Sequence, residues 1–261
     1  MVKLATPVSN LFTNQKTTAQ ILAFSDLLEG RDFTHQTELQ RQRLFHFELS
    51  VVNGWTQDDR KWIERIVRER ETLELISFHM AACCSAPLMV GIMFQLGGKV
   101  FTRSRLLANA EENITWLKKI TVSRNIKIAV ENNNYYPTPA YAHVTDSEFI
   151  TQIVNDNQIG FLFDLAHARI TVGNRALSYK KYLAGLPMEH ALQIHVCQWG
   201  VDAKGMAFDA HEVPQPALNE EVLALVKKYE IKYVTIEYYR NLKKLLQTLR
   251  SYRVLLEKEG V

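Results

Sequence analysis

Hydrophobic and polar positions along the chain form two kinds of segment, short apolar runs and longer stretches with helical spacing. The short runs are rich in β-branched and aromatic residues, a composition typical of buried strands. There are eight, near residues 2–8, 44–50, 74–79, 89–95, 127–132, 160–165, 191–197 and 233–238. Because runs and helical stretches alternate, the pattern predicts a parallel sheet with right-handed crossovers. Eight such strands predict an α/β fold, a single (β/α)8 TIM barrel.

The stretches between the runs place apolar residues three and four positions apart, as amphipathic helices do. They are residues 56–71, 103–123, 145–157, 219–230 and 241–259. Thr56, Ser104 and Thr145 are suitable N-caps for the first three. The chain of 261 residues is close to the ~250 residues of a typical barrel. Since no repeat or linker divides it, we predict one domain over residues 1–261.

The composition, 47% hydrophobic and 23% charged, is that of a globular protein. No apolar run approaches the ~18 residues needed to cross a bilayer. The first residues, MVKLATPVSN, are typical of a strand rather than a secretory signal. We therefore expect a cytoplasmic protein without a membrane partner. The net charge of +3 comes from dispersed basic residues, which gives little support to nucleic-acid binding.

The three cysteines, Cys83, Cys84 and Cys197, show no C-x-x-C spacing, so we expect neither structural disulfides nor a zinc ribbon. Cys197 follows His195 by two residues and could share its face of a strand, which would let it line a pocket. The alternative is a small buried hydrophobic residue.

Acidic and histidine residues follow several of the apolar runs. They are His79, Glu131, Asp164, His167, His195, Asp209, His211 and Glu237. The carboxyl ends of parallel barrel strands converge on one rim, so these side chains are expected to meet there. Four carboxylates gathered in one place would repel one another unless cations balanced them. The sequence therefore predicts two divalent ions held by these eight residues, of iron, manganese or zinc, and no organic cofactor.

Other polar residues near the rim have weaker signals. Glu48 could bind substrate, and we expect substrate contacts from Asn133, Tyr135, Gln95 and Trp199. The remaining histidines occur in loops, helices or an early strand, where a histidine usually has a structural role. They are His35, His46, His143 and His190.

The order E-N-N, FDLAH, QIH, FDAHE and TIEY resembles the xylose-isomerase-like TIM-barrel superfamily, most specifically from Ile126 to Tyr239. That superfamily includes sugar isomerases and epimerases, endonuclease-IV-type nucleases, and a multinuclear-iron family that modifies cysteine in peptide natural products, as in methanobactin biosynthesis. The phrases SEFITQIV, YLAGLPMEHALQIHV and DAHEVP are most similar to this last family.

The resemblance implies how the ligands divide. A central ion would be held by Glu131, Asp164, His195 and Glu237, and a second by His167, Asp209 and His211. In the nuclease-type site a third ion takes histidines that end strands three and four. His79 fits the first of these positions, but the segment IMFQLGG places Gln95 at the second. An amide is a poorer ligand than imidazole, so this departure argues against a third ion. The iron family differs too, with asparagine where His167 stands.

Three enzyme classes follow from the resemblance and the ligands. The favoured one is iron-dependent oxidation of a cysteine-containing peptide, which usually requires a partner protein to deliver the substrate. A sugar or polyol isomerase or epimerase is nearly as well supported, with Glu131 and Glu237 as the catalytic carboxylates that move a proton. Phosphodiester hydrolysis has less support because the segments after the strands are mostly neutral. A metal-binding protein without catalytic activity is the remaining alternative.

Overall fold

The computed structural model describes residues 1–34, 39 and 41–261. Its strands, in chain order, are β1 (Lys3–Pro7), β2 (Leu27–Arg31), β3 (Gln42–Ser50), β4 (Leu75–His79), β5 (Leu88–Val90), β6 (Met93–Gln95), β7 (Lys127–Glu131), β8 (Gly160–Asp164), β9 (Ala191–Val196), β10 (Gln198–Val201), β11 (Ala207–Glu212) and β12 (Tyr233–Ile236). The helices are α1 (Gln15–Leu22), α2 (Gln57–Glu69), α3 (Arg103–Thr121), α4 (Ser147–Asn157), α5 (Leu165–Arg175), α6 (Tyr179–Gly185), α7 (Pro216–Lys228) and α8 (Leu242–Lys258).

Eight of the strands form a closed barrel in the order β1, β2, β3, β4, β7, β8, β9 and β12, and β12 pairs with β1 to close it. Every pairing between these strands is parallel. The predicted TIM barrel is therefore confirmed. No helix in the described part of the chain is long and apolar enough to span a membrane.

One of the eight predicted strands is wrong, and one barrel strand was not predicted. The predicted fourth strand, residues 89–95, is wrong: β5 and β6 are an antiparallel hairpin outside the barrel. Gly91 has a φ of 62° in its two-residue turn, the left-handed backbone that such hairpins favour. The missing barrel strand is β2, whose sequence LLEGR has only two apolar residues before its charges. Because these charges point into the barrel, apolar pattern alone does not reveal the strand.

The five predicted helices are present, but two of their caps differ from prediction. Thr56 caps α2 as expected, whereas Thr102 caps α3 in place of Ser104 and Asp146 is the N-cap of α4 in place of Thr145. The pattern also missed α1, α5 and α6. The helix α5 begins directly after Asp164, the last residue of β8, so no loop separates the strand from the helix.

The interior of the barrel is layered. A small apolar cluster takes one residue from each of seven barrel strands, namely Ala5, Leu27, Leu44, Leu75, Ala129, Leu162 and Tyr233. Residues two positions further along a strand share its face. On six of these strands those residues are Glu29, His46, Ser77, Glu131, Asp164 and Thr235, and all six are at most 1% exposed. The barrel interior therefore changes from an apolar layer to a polar layer over two residues along each of these strands.

Candidate metal centre

Glu131, the last residue of β7, lies at the centre of the polar layer. Its Oε2 is 2.9 Å from Nδ1 of His79 and 3.5 Å from Nε2 of His46. Its other oxygen, Oε1, is 3.1 Å from Nδ1 of His195. The two imidazoles on β3 and β4 also face each other, with His46 Nε2 2.9 Å from His79 Nε2. One carboxylate on β7 thus contacts imidazoles from three other strands, β3, β4 and β9.

His195 connects Glu131 to two further carboxylates. Its Nδ1 is 3.3 Å from Oε1 of Glu237 and 4.0 Å from Oδ2 of Asp164. Donor atoms of Glu131, Asp164 and His195 lie within 4.8 Å of one another, and so do those of His46, His79 and Glu131. We call the six residues the inner cluster: His46, His79, Glu131, Asp164, His195 and Glu237.

A second set of ligand groups lies at the rim. Asp209 places Oδ2 3.5 Å from Nε2 of His167 and Oδ1 3.3 Å from Nδ1 of His211. His167 is in the first turn of α5, where the Asp164 side chain accepts a hydrogen bond from its backbone N–H. Asp209 and His211 are on β11 of the β10–β11 hairpin. We call His167, Asp209 and His211 the outer cluster.

Three of these histidines are oriented from outside the cluster. His195 directs Nε2 to Glu29 at 3.0 Å, and His167 directs Nδ1 to the backbone oxygen of Asn132, also at 3.0 Å. His46 directs Nδ1 to the hydroxyl of Ser77 at 2.8 Å. Each ring therefore keeps its other nitrogen towards the carboxylates. Metal-binding histidines are held in this way, with one nitrogen on the ion and the other hydrogen-bonded outward.

Neither Glu29 nor Arg31, both on β2, was among the predicted site residues. The guanidinium of Arg31 contacts Glu29 Oε1 at 2.7 Å and also contacts Glu237. His195, Arg31 and His46 offset the effect of burial and lower the pKa of Glu29 to about 2. A glutamate and an arginine inside a short apolar run are the signal that could have found this pair.

The pKa values show how unevenly charge is balanced. Burial raises the pKa of Asp164 to about 8; His167 opposes this shift, and nearby carboxylates, first Glu131, reinforce it. Burial lowers the pKa of His46 to about 3. Despite burial, Glu131 and Glu48 raise the pKa of His79 to about 10. The Asp164 carboxyl is therefore the buried acid here that lacks a sufficient counter-charge.

The side chains of the two clusters fit divalent ions. Oδ2 of Asp164 is buried and accepts no hydrogen bond from any residue that the structure describes. Imidazole nitrogens with outward partners and converging carboxylates are the donor set of zinc, iron and manganese sites. Buried carboxylates that lack partners are costly unless an ion supplies the charge.

The structure brings all eight predicted ligands into the two clusters. It also adds His46, for which a structural role alone does not account, since its Nε2 faces His79 and Glu131. The reasoning from Gln95 is wrong. Gln95 is in β6 and pairs with Leu88 outside the barrel, so it does not occupy a ligand position on a fourth strand. The histidines of the third and fourth barrel strands are His46 and His79. Of the other histidines, His143 is half-exposed near Asp146, His190 is exposed, and His35 lies outside the described residues.

Two cavities open over the clusters, of about 520 Å³ and 320 Å³, with Glu48 in the wall of both. Asn133 lines the smaller one, where its amide donates to the backbone oxygens of Met80 and Ala81. The other predicted substrate contacts, Tyr135, Gln95 and Trp199, lie outside both walls. Residues that sequence reasoning missed line them instead, including Arg31, Met89, Ile92, Phe94, Tyr136, Tyr141 and Tyr239.

Residues 54–253 match the family described as RiPP precursor modification enzyme MbnB/TglH/ChrH, in which RiPP denotes a ribosomally synthesised, post-translationally modified peptide. The chain belongs to this family. A curated relative, a UPF0276 protein of Paraburkholderia phytofirmans, is 32% identical over 69 residues. That match covers 26% of this chain and 22% of the relative, so it spans about a fifth of the relative's length. The description of this family is that of an enzyme that modifies peptide precursors.

Solved structures share the barrel at low sequence identity. A D-tagatose 3-epimerase-like protein superposes with a TM-score of 0.65 at 16% identity, covering 100% of both chains. The IolI protein, solved with a bound zinc atom, superposes with a TM-score of 0.64 at 13% identity, covering 98% of this chain and 99% of its own. These likenesses show the fold alone.

Proposed function

We propose that this protein is an iron-dependent enzyme that oxidises a cysteine residue of a peptide precursor, with dioxygen as the electron acceptor. The observation that carries the proposal is the inner cluster of three histidines and three carboxylates, in a member of a RiPP-modifying family.

We further propose that the inner and outer clusters hold up to three ions. His46, His79 and Glu131 would hold one, Glu131, Asp164, His195 and Glu237 the second, and His167, Asp209 and His211 the third. This replaces the two ions predicted from the sequence.

Bound iron would supply the redox chemistry and a Lewis acid for the substrate sulfur. The chain's own residues hold the ligand side chains in place and orient them. Glu29 and Ser77 fix the rings of His195 and His46 through hydrogen bonds. Arg31 balances Glu29 and Glu237, so that fewer positive charges are required from ions. Asn132 ties the ends of β7 and β8 together, because its amide donates to Asp164 O and its oxygen accepts from Asp164 N, both at 2.9 Å.

The mouth of the site, where the two cavities open, suits a peptide that has apolar residues beside its cysteine. The lining of the smaller cavity includes His79, His167 and Asp209, and also Met89 and Ile92 of the β5–β6 hairpin. Met89 is 60% exposed and Ile92 47%. Exposed apolar side chains that continue a site commonly mark a binding surface. We therefore propose that the hairpin holds the peptide; delivery by a partner protein and a cytoplasmic location remain predictions from the sequence.

The test is incubation of iron-loaded protein with synthetic cysteine peptides whose neighbouring residues are either apolar or acidic. We expect a mass change of the cysteine peptide that depends on oxygen, with faster turnover of the apolar version. Met89→Asp should raise KM by about tenfold, the size of losing one buried apolar contact, and leave kcat unchanged. Val201→Asp, at an exposed apolar site on the other hairpin, is the matched control. A serine peptide modified as fast as the cysteine peptide would refute the proposal.

The hypothesis of an isomerase or epimerase is supported by the central ligand set. The geometry of its two proposed bases, Glu131 and Glu237, argues against it. Oε1 of Glu131 and Oε1 of Glu237 both lie against Nδ1 of His195, at 3.1 Å and 3.3 Å. Two bases that exchange a carbon-bound proton need the substrate carbon between them. Here both carboxylate oxygens contact the same imidazole nitrogen instead. Epimerisation of ketohexoses by the manganese-loaded protein would favour this reading over oxidation.

Nuclease activity remains the less favoured reading, although Gln95 no longer argues against it. Arginines in the segments that follow β8 and β12 are paired with carboxylates: Arg169 with Glu221, Arg175 with Asp146 and Arg240 with Glu212. Paired arginines offer little charge to DNA phosphates. We expect no incision of abasic duplex at low salt by metal-loaded protein. Incision that disappears in Asp209→Asn would overturn this expectation.

A further inference from the structure

Cys197, between β9 and β10, shares the inward face of β9. Gln193 and His195 both direct their side chains into the barrel, where Gln193 donates to Thr235 and His195 meets Glu131. Cys197 is the next residue with the same parity along the strand direction. It is 1% exposed. Its thiol is therefore placed one step nearer the rim than the His195 ring.

The groups around this thiol are metal-binding groups rather than apolar side chains. Sγ of Cys197 is 3.6 Å from Oδ1 of Asp209. Donor atoms of Cys197, His211 and Glu237 lie within 4.8 Å of one another. A carboxylate from β11, an imidazole from the same strand and the glutamate that follows β12 thus converge on one sulfur.

The other two cysteines show what a merely buried thiol looks like in this protein. Cys83 and Cys84 are as buried as Cys197. The thiol of Cys83 donates to the backbone oxygen of Pro139 at 3.3 Å. Among the described residues, neither belongs to a group of converging metal donors. Burial alone therefore does not explain the surroundings of Cys197.

We propose that Cys197 is a thiolate ligand of the outer ion, together with His211 and an oxygen of Asp209 or Glu237. The inference rests on the proposed metal centre and adds a sulfur donor to ligands that otherwise offer only nitrogen and oxygen. The thiol releases its proton to solvent when the ion binds. A thiolate selects for iron or zinc over manganese and magnesium, so the outer position would differ in preference from the inner ones.

Cobalt(II) is the probe, because a cobalt–thiolate bond gives a near-ultraviolet charge-transfer band that nitrogen and oxygen ligands do not give. We expect this band in the cobalt-loaded wild-type protein, and a sulfur neighbour at about 2.3 Å in its cobalt X-ray absorption spectrum. Cys197→Ser should lose both and bind the outer cobalt about 10- to 100-fold more weakly, since loss of even an indirect partner costs that much. Cys83→Ser and Cys84→Ser are matched controls that keep the band.

The outcomes separate this inference from the proposed function. Cobalt bound at full stoichiometry without a sulfur neighbour in the wild type would overturn the cysteine ligand and leave the metal centre standing. No bound cobalt, iron or zinc in the wild type would overturn both. The X-ray absorption measurement needs no variant, so misfolding of Cys197→Ser would not prevent a decision.

Discussion

The inner and outer clusters offer similar ligands on very different supports. Inner residues lie on or directly after barrel strands, and Glu131, Asp164 and His195 are at most 1% exposed. Outer residues lie on α5 and on a two-stranded hairpin beside the barrel, and the His211 side chain is 33% exposed. His211 also has a φ of 44°, a left-handed backbone that is uncommon for a residue other than glycine. The inner site is part of the barrel core, whereas the outer one is attached to it.

This difference bears on how each cluster would hold an ion. A buried carboxylate such as Asp164 gains most from a cation because water contributes little to its stability. Asp209 and His211 keep contact with solvent. An ion bound there therefore compensates for a smaller loss of hydration. The comparison therefore predicts tight inner ions and a more easily removed outer ion.

Removing the metal should give the largest effect and should occur in two steps. We expect a chelator to take the outer ion first, with little change in Tm. Loss of the inner ions should then abolish activity and lower Tm on the order of 10 °C, because ligands bound a thousandfold above Kd contribute about 4 kcal/mol. Elemental analysis and calorimetry along a chelator titration measure both steps. A single step in which all ions leave together would break the distinction between the clusters.

Glu131→Gln should be the most damaging single substitution in the inner cluster. The amide removes the charge that Glu131 presents to His46, His79 and His195, so both inner ions should be lost. Activity should fall by about 10²- to 10³-fold or more, the range for losing a group that stabilises charge at a reaction centre. Glu112→Gln, at an exposed ion pair with Arg60, is the control and should change neither quantity. Full metal content in Glu131→Gln would remove this residue from the ligand set.

The barrel could be predicted from sequence because a strand with apolar residues on both faces gives a short, continuous apolar run. Seven of the eight barrel strands were located in this way. β2 was missed because Glu29 and Arg31 occupy its inward positions, so the strand lacks the apolar signal. The segment around Met89 was misassigned because its apolar residues face solvent near the mouth, where a binding role provides a reason for their exposure.

The candidate ligands were predictable where a motif surrounds them, as with Asp164 and His167 in FDLAH. His46 was not, because FHFE shows a histidine on an early strand and carries no sign that β3 is third rather than second in the barrel. Once β2 is inserted, His46 and His79 lie on adjacent strands, three and four. The count of strands, rather than the chemistry of the residue, was the missing information.

Asp209→Asn should have a smaller effect that is confined to the outer cluster. The amide keeps the size of the side chain but removes the charge between His167 and His211. We expect the loss of one ion per chain, retention of the inner ions, and activity lowered by about 10- to 100-fold, comparable to removing one supporting ligand. Loss of all ions in this variant would show that the clusters form one cooperative site.

The smallest effect should come from Gln95→His, and it should be no change in metal content. Gln95 pairs with Leu88 in the hairpin outside the barrel, so an imidazole there meets no inner ligand. His46→Gln is the complementary variant, because it places an amide 3.5 Å from Glu131 Oε2, where the imidazole now lies. That change should lower the stoichiometry by one ion. Elemental analysis of the two variants beside the wild type decides the matter: an additional ion in Gln95→His, or an unchanged count in His46→Gln, would mean that the position next to His79 is filled differently.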